Sequence, residues 1–571
     1  MKTQHRRIPV LPNRPVTHPF ARQIVRSYPV GRQSFSRACT GKNMSLVITM
    51  EEGLPPKLKA NILTTMNSKD GNEWQKIPFV RTHKKTMECE LKPKRPGLHS
   101  FRAEFSMDNG TTWFRDTVPD AWVLVDPQQV DSLRMYTLIP NISGTIAHWK
   151  ADLKRINEMG FNAIHLLPLT LQDTSKSPYS AKDFFHIDPS YLDKNSKLSG
   201  LEQLEDFIEE ARTLNIRLCF DLVLNHIGLN STMSKQAPDW IMADPKRSDG
   251  LRRAGYWCEK GWLFWEDLVL INYEHPSDSI RAEIWSYMTE YALFWAKYAN
   301  DTNGFVRFDN LHSSNPEFIQ GLTSELHARY PNIGIIAEYF TDENIMLHTA
   351  PKWGLNLNLA TPWNFKFVPQ LREYLNYIHR VSMHIRYFMP VTSHDSGTPA
   401  QEFGGIYSTI PRYVAAALMG TGASGMVQGV EYGQEEKIDF IGKKPKMKFP
   451  SEAVFGLFIG KINAILANYP AFRRGGNCVF VDNSHDAILA AFRKSTGSQL
   501  FGFLVVCNFD IYHEQRIYID LTKTIETDES ITYCELLSER VDSFPGPRFE
   551  LTLPPCSAEV FMLTERDENS K

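Results

Sequence analysis

The stretch MYTLIPNISGTIAHWKADLKRINEMGFNAIHLLP, residues 135–168, reads as strand, amphipathic helix, strand. The rhythm continues through LEQLEDFIEEARTLN (201–215), IRLCFDLVLNH (216–226) and RAEIWSYMTEYALFWAKYAN (281–300). GFVRFDN (304–310), NIGIIAEYF (332–340), GLNLNLA (354–360), MPVTSHD (389–395) and ASGMVQGV (423–430) extend the strand series, with helical segments between most of them. Eight apolar strands, each buried on both faces and alternating with helices, predict an α/β fold. The expected architecture is a (β/α)8 barrel of the triosephosphate-isomerase type, with an open doubly wound sheet as the alternative.

Outward from this core the pattern changes on both sides. Residues 45–128 show short strands broken by Asp70-Gly71 and Asn109-Gly110, which predicts an N-terminal β-sandwich-like domain. The barrel is expected over 129–475, with a loop excursion at about 227–276. From 476 to 571 the helices stop, and AILAAFRK, LFGFLVVCNF and EQRIYIDL predict a C-terminal all-β domain. Residues 1–44 form a proline-containing basic arm, expected to be a poorly ordered extension; its Arg-rich character also fits an organellar transit peptide.

Charge narrows the function classes. The 571 residues carry 63 Lys+Arg and 65 Asp+Glu, a formal net charge of -2. No global field favours nucleic acid or an anionic membrane, and no apolar run has the length of a spanning helix. The near balance is uneven along the chain: residues 1–50 hold nine basic residues and no acid, leaving a formal -11 for the rest. The eight cysteines show no CxxC spacing and read as free thiols, which predicts a reducing, cytoplasmic compartment.

In a parallel barrel the chemistry gathers at the C-terminal ends of the strands. Those ends carry Asp221 with Asn225 and His226, Arg307 with Asp309, Glu338, and His394 with Asp395. Asp309 and Glu338 are 29 residues apart, and Glu338 and Asp395 are 57 apart, about one and two βα repeats. Three carboxylates are therefore expected at one mouth, from strands 4, 5 and 7. A lone carboxylate at such a place is commonly a solvated loop acid or a helix cap. Arg307, however, shares a strand face with Asp309, which predicts an ionised, low-pKa Asp309. The apolar neighbours of Glu338 predict a raised pKa. One ionised and one protonated carboxyl group suit glycoside cleavage, by retention or, with a wider gap, inversion.

FDLVLNH, GFVRFDN, IIAE and SHD, in this order, resemble the four signature regions of the α-amylase superfamily, glycoside hydrolase family 13. The likeness covers about residues 45–565. Within it, HLLPLTLQDTSKSPYSAKDFFHIDP, LNHIGLNS, RFDNLHSSNP, AEYFTDEN, SHDSGTP and VEYGQEE are similar to the 4-α-glucanotransferase half of glycogen debranching enzymes. The resemblance implies that Asp309 is the nucleophile, Glu338 the general acid/base and Asp395 a carboxylate that binds sugar hydroxyls. It also implies that Arg307, held by Asp221, orients Asp309, that His226 and His394 contact the sugar, and that Tyr179 is a stacking platform.

Two departures stand out. Asp309 is followed by Asn310, Leu311 and His312 instead of the Lys-His pair of many α-amylases; the missing Lys leaves the acceptor-side contact unassigned, and His312 is expected among the substrate-binding residues. Asn225 matches a calcium ligand of many relatives, but the following loop lacks an acidic chelating run, so no cofactor is assigned and calcium is left open. That loop holds Trp240, Tyr256, Trp257, Trp262, Phe264 and Trp265, either as the core of the excursion or, in part, facing the cleft.

The expected function is a retaining 4-α-glucanotransferase acting on α-glucans such as glycogen or maltooligosaccharides. The alternatives are an α-amylase-type hydrolase, a maltosyltransferase using a sugar phosphate, and a catalytically silent carbohydrate-binding homologue. Neither nucleic acid nor membrane is an expected partner, and the sequence does not address oligomeric state.

Overall fold

The computed structural model describes residues 35–50, 52–68, 73–115, 121–258, 261–442, 444–482, 485–495 and 500–565. Most of the basic arm, and the Asp70-Gly71 turn, lie outside them. By internal contacts the chain forms two compact units. One comprises 1–130 with 319–334 and 342–356; the other comprises 131–318, 335–341 and 357–571.

The first unit contains two β-sheets. Phe35–Cys39, Ala121–Asp126, Gly97–Ser106, Lys59–Thr64 and Gln75–Pro78 lie side by side in that order, with Phe114–Arg115 paired to Gly97–Ser106. Met44–Thr49, Thr86–Leu91 and Val80–His83 make the second sheet. Their apolar sides share one core, in which Ile48, Ile62, Phe105, Val123 and Val125 are fully buried. This is sandwich packing, in which alternate residues of each strand turn inward.

The second unit is built on a closed parallel barrel. Its strands are β1 (Leu133–Leu138), β2 (Ala163–Leu166), β3 (Arg217–Val223), β4 (Phe305–Asp309), β5 (Gly334–Ala337), β6 (Leu357–Leu359), β7 (Tyr387–Pro390) and β8 (Ala423–Val427). A helix of ten residues or more follows every strand in the chain, as the alternating pattern requires. The Gly200–Thr213 helix shows why it forms where it does. Ser199 and Glu202 make a reciprocal capping box at its start, and Leu204, Phe207, Ile208 and Ala211 recur on one buried face. Burying Leu204 and Phe207 stabilises by roughly 1.5–3 kcal/mol each.

Register sets the face that each strand shows. On β3 and β4, Asp221 lies opposite Arg307 and Val223 opposite Asp309. Gly304 precedes β4 because a Cβ there would overlap the Leu218 carbonyl. The excursion folds as a three-stranded antiparallel sheet of His226–Gly228, Gly261–Leu270 and Arg253–Cys258.

The C-terminal part of this unit has one six-stranded and one two-stranded sheet around Ile488, Phe492, Leu504, Ile519 and Phe561. Arg493, fully buried, joins it to the barrel by donating to the carbonyls of Ala471 (2.8 Å), Arg474 (2.9 Å) and Gly420 (2.8 Å). Seven cysteines are free thiols among the described residues, and no helix there is long and apolar enough to cross a membrane.

Candidate active site

One guanidinium organises the C-terminal mouth of the barrel. Arg307 Nη1 donates to Asp221 Oδ2 at 2.6 Å and to Asp309 Oδ1 at 3.1 Å, while Nη2 donates to Glu338 Oε2 at 2.7 Å. The planar fork thereby ties β3, β4 and the end of β5 together. Asn310 follows Asp309 in the left-handed region, φ 44°, a conformation that Asn tolerates better than most residues. The turn aims its backbone N–H at Glu338 Oε2, 3.0 Å away.

This geometry corrects the electrostatic expectation. Arg307 does not serve Asp309 alone; its shortest contacts are to Asp221 and Glu338. Burial, and then the Glu338 charge, push the Asp309 carboxyl well above its ordinary range against the opposing pull of Arg307. Glu338, expected among apolar neighbours, accepts hydrogen bonds from Arg307 and from the Asn310 N–H. Burial also raises Asp221, but Arg307 and His165 outweigh it and hold that group down at about 2.

Asp221 Oδ2 accepts two more hydrogen bonds, from Tyr179 Oη at 2.9 Å and from His165 Nε2 at 3.0 Å. Tyr179, on the loop after β2, also lies 2.7 Å from His394 Nε2, with the two rings parallel at 5.6 Å. Burial, and then the positive Arg307, keep His394 neutral by pushing its pKa well down. A neutral His394 protonated at Nε2 donates to the Tyr179 oxygen, which donates onward to Asp221. The same nitrogen is 3.1 Å from Asp395 Oδ2. Asp395 sits in a turn held by the Ser393 hydroxyl, which accepts from its N–H at 3.1 Å, and its carboxylate is largely exposed.

His226 is buried, and burial lowers its pKa to about 4. The neutral ring donates from Nε2 to the Tyr179 carbonyl at 3.2 Å, which leaves Nδ1 as an acceptor. Nδ1 lies 2.8 Å from Asn225 Oδ1, while the amide nitrogen is buried without a partner; exchanging the two ends of the amide lets the nitrogen donate to the ring. Asn225 is thus engaged by His226. Among the described residues no group of three His, Cys, Asp or Glu side chains is arranged to hold a metal ion.

His312 is exposed, and its ring packs at 5.7 Å on Phe340, two residues beyond Glu338. The excursion's aromatics divide by face. Trp265 packs at a tilt against Tyr256 (5.5 Å) and His226 (6.1 Å), whereas Trp262 and Phe264 are more than half exposed. Trp240 packs on Tyr287. Sequence reasoning missed His165 and Phe340. A histidine interrupting the apolar run AIHLLP was the available signal for the first.

A family model described as the glucanotransferase domain of glycogen debranching enzyme matches residues 127–254. The α-1,4-glucan:maltose-1-phosphate maltosyltransferase of Arcanobacterium haemolyticum is 24% identical over 442 residues, covering 70% of this chain and 60% of that protein. These matches make the chain similar to the α-amylase superfamily, glycoside hydrolase family 13. The superfamily relative of the same name from Salinibacter ruber is 23% identical over 493 residues, covering 77% of this chain and 70% of that protein. The chain spans 60 and 64% of the lengths of the Arcanobacterium haemolyticum and Picrophilus torridus maltosyltransferases. Among solved superfamily structures, the maltogenic α-amylase AmyB of Thermotoga neapolitana superposes with a TM-score of 0.61 at 17% identity, over 76% of this chain and 99% of that one. The Nostoc punctiforme debranching enzyme gives 0.58 at 16% identity, over 76 and 99%.

Proposed function

We propose that this protein is a retaining 4-α-glucanotransferase that moves maltooligosaccharyl units between α-1,4-glucans through a covalent intermediate on Asp309. The observation that carries the reading is the single Arg307 guanidinium bridging Asp221, Asp309 and Glu338 at the barrel mouth. In a retaining mechanism the two working carboxyl groups sit about 5–5.5 Å apart on either side of the scissile bond. Asp309 attacks the anomeric carbon while Glu338 gives its proton to the departing glycosidic oxygen. A hydroxyl of a second glucan then surrenders its proton to Glu338 and displaces Asp309, restoring both groups.

Positive charge building at the anomeric carbon favours the Asp309 anion, which offsets the elevated pKa of Asp309 in the free site. Asp395 accepts hydrogen bonds from the sugar hydroxyls. His226, His394 and the Tyr179 ring line the sugar's pocket. Transfer to sugar over water is supported by the Phe340 ring, partly exposed, two residues beyond Glu338 and packed on His312, which offers an apolar face to an incoming sugar. The match to a glucanotransferase domain supports the same choice.

A second reading, maltosyl transfer from maltose 1-phosphate, is favoured by the maltosyltransferase relatives. Incubation with one maltooligosaccharide separates the readings. A ladder of longer and shorter chains at constant reducing ends is expected, whereas rising reducing ends mark a hydrolase. Elongation with phosphate release only when maltose 1-phosphate is added marks the second reading. No change under any condition overturns the enzyme assignment.

A further inference from the structure

His165 lies on β2, fully inside the barrel, and belongs to none of the roles assigned above. Its Nε2 is 3.0 Å from Asp221 Oδ2 and its Nδ1 is 3.3 Å from the Thr137 hydroxyl on β1. Asp221 Oδ2 can accept only from Nε2–H, and burial pushes the ring's pKa down, so the second nitrogen, Nδ1, is unprotonated and accepts from Thr137. The ring is therefore a neutral imidazole held in one tautomer, spanning β1, β2 and β3. Tyr179 and Arg307 donate to the same Asp221 oxygen at 2.9 and 2.6 Å, and the other oxygen, Oδ1, is buried without a partner. All three donors thus fix Asp221 through one atom.

The ring also borders a small cavity of about 20 Å³, lined in addition by Met135, Ile336 and Phe388. His394 is its ring neighbour at 6.1 Å.

We propose that His165 is a positioning residue: by donating from Nε2 to Asp221 Oδ2 it fixes the carboxylate that anchors Arg307 and Tyr179, and so the placement of Asp309 and Glu338. The effect passes from β2 to β4 and β5 through Asp221 and the guanidinium, without His165 touching the sugar. A carboxylate with one donor removed rotates about its remaining two, and small misplacements of a reacting group are costly in rate. The proposal rests on the glucan reading for its kinetic consequence, but not for its structural one.

Two substitutions separate positioning from bulk. His165→Phe keeps a ring and removes the donor; His165→Gln keeps an N–H near the position of Nε2. Relative to the parent, His165→Phe is expected to lower kcat on a maltooligosaccharide about 10–100-fold with KM changed less, and His165→Gln to recover most of that loss. Unfolding midpoints measured alongside are expected to stay close for the two variants. Equal loss of activity in both, in step with equal loss of stability, overturns the proposal, as does full activity in His165→Phe.

A readout independent of turnover is the 15N spectrum of histidine-labelled protein, with the His165 signal identified by its loss in His165→Gln. A neutral ring protonated at Nε2 is expected. Protonation at Nδ1 overturns the proposal, whether or not glucans are turned over. Should the parent act on no glucan, the functional reading falls, while the tautomer still decides whether His165 holds Asp221.

Discussion

The Tyr179 hydroxyl stands 2.7 Å from His394 Nε2 with the two rings parallel, and it passes a hydrogen bond on to Asp221 at 2.9 Å. One phenol thereby links the loop after β2, the end of β7 and the anchor of Arg307. Tyr179→Phe keeps the stacked ring and removes the link. Since hydrogen bonds to charged groups contribute about 1.5–3 kcal/mol, kcat/KM is expected to fall about 10–100-fold. Tyr179→Ala, which also removes the ring, is expected to fall further. Parent-like kinetics of Tyr179→Phe on a maltooligosaccharide would show the link to be dispensable.

Asp309→Asn is expected to abolish turnover and to make the protein more stable. Burial and the Glu338 charge raise the Asp309 pKa, so its ionised form is the disfavoured one in the fold. The fold is therefore favoured by this group at low pH, and that contribution is lost as pH rises through the folded pKa. An amide removes the penalty at neutral pH, a gain of about 1 kcal/mol or ~2 °C, which should shrink as pH falls. Thermal melts across pH for the two proteins check the sign. A variant less stable than the parent at pH 7 contradicts it.

Acid should loosen the join between the barrel and the C-terminal sheets. His379 donates from Nε2 to the Met419 carbonyl at 2.9 Å, accepts from the Gly476 N–H at Nδ1 and stands 3.2 Å from Arg493. Burial, and then Arg493, push its pKa down to about 3. The unfolded chain binds this proton from about pH 6.5 downward and the folded chain does not. Stability is thus full above 6.5 and is lost as pH falls toward 3, at about 1.4 kcal/mol per pH unit. His379→Gln should flatten that slope in denaturant titrations between pH 6 and 4; an unchanged slope assigns the acid sensitivity elsewhere.

Phe340→Ala should change the fate of the intermediate more than its formation. An aromatic face against a sugar contributes about 0.5–1.5 kcal/mol, which corresponds to a several-fold drop in the ratio of transfer to hydrolysis. Products counted as new chains against new reducing ends give that ratio directly. A constant ratio would remove Phe340 from the acceptor side.

The barrel was readable because its strands are apolar on both faces and its period is regular. The intervals between Asp309, Glu338 and Asp395, about one and two βα repeats, mark all three as residues of strand ends. The distribution of charge among them was not readable in the same way. Arg307 and Asp309 share a strand, but the pairing of Arg307 with Asp221 and Glu338 depends on register and on the turn at Asn310, which act across strands. His165 escaped notice for a similar reason. A histidine within AIHLLP reads as a core residue until β1 and β3 bring Thr137 and Asp221 to its two nitrogens.

The bridging guanidinium also leaves the mouth of the barrel in electrical debt. Asp221, Asp309 and Glu338 converge on one positive group, with Asp395 close by. A pocket so constituted disfavours anions and rewards any species that becomes cationic inside it. For a substrate passing through an oxocarbenium-like state, the missing counter-ion is supplied by the reaction itself, and only at the moment of bond cleavage.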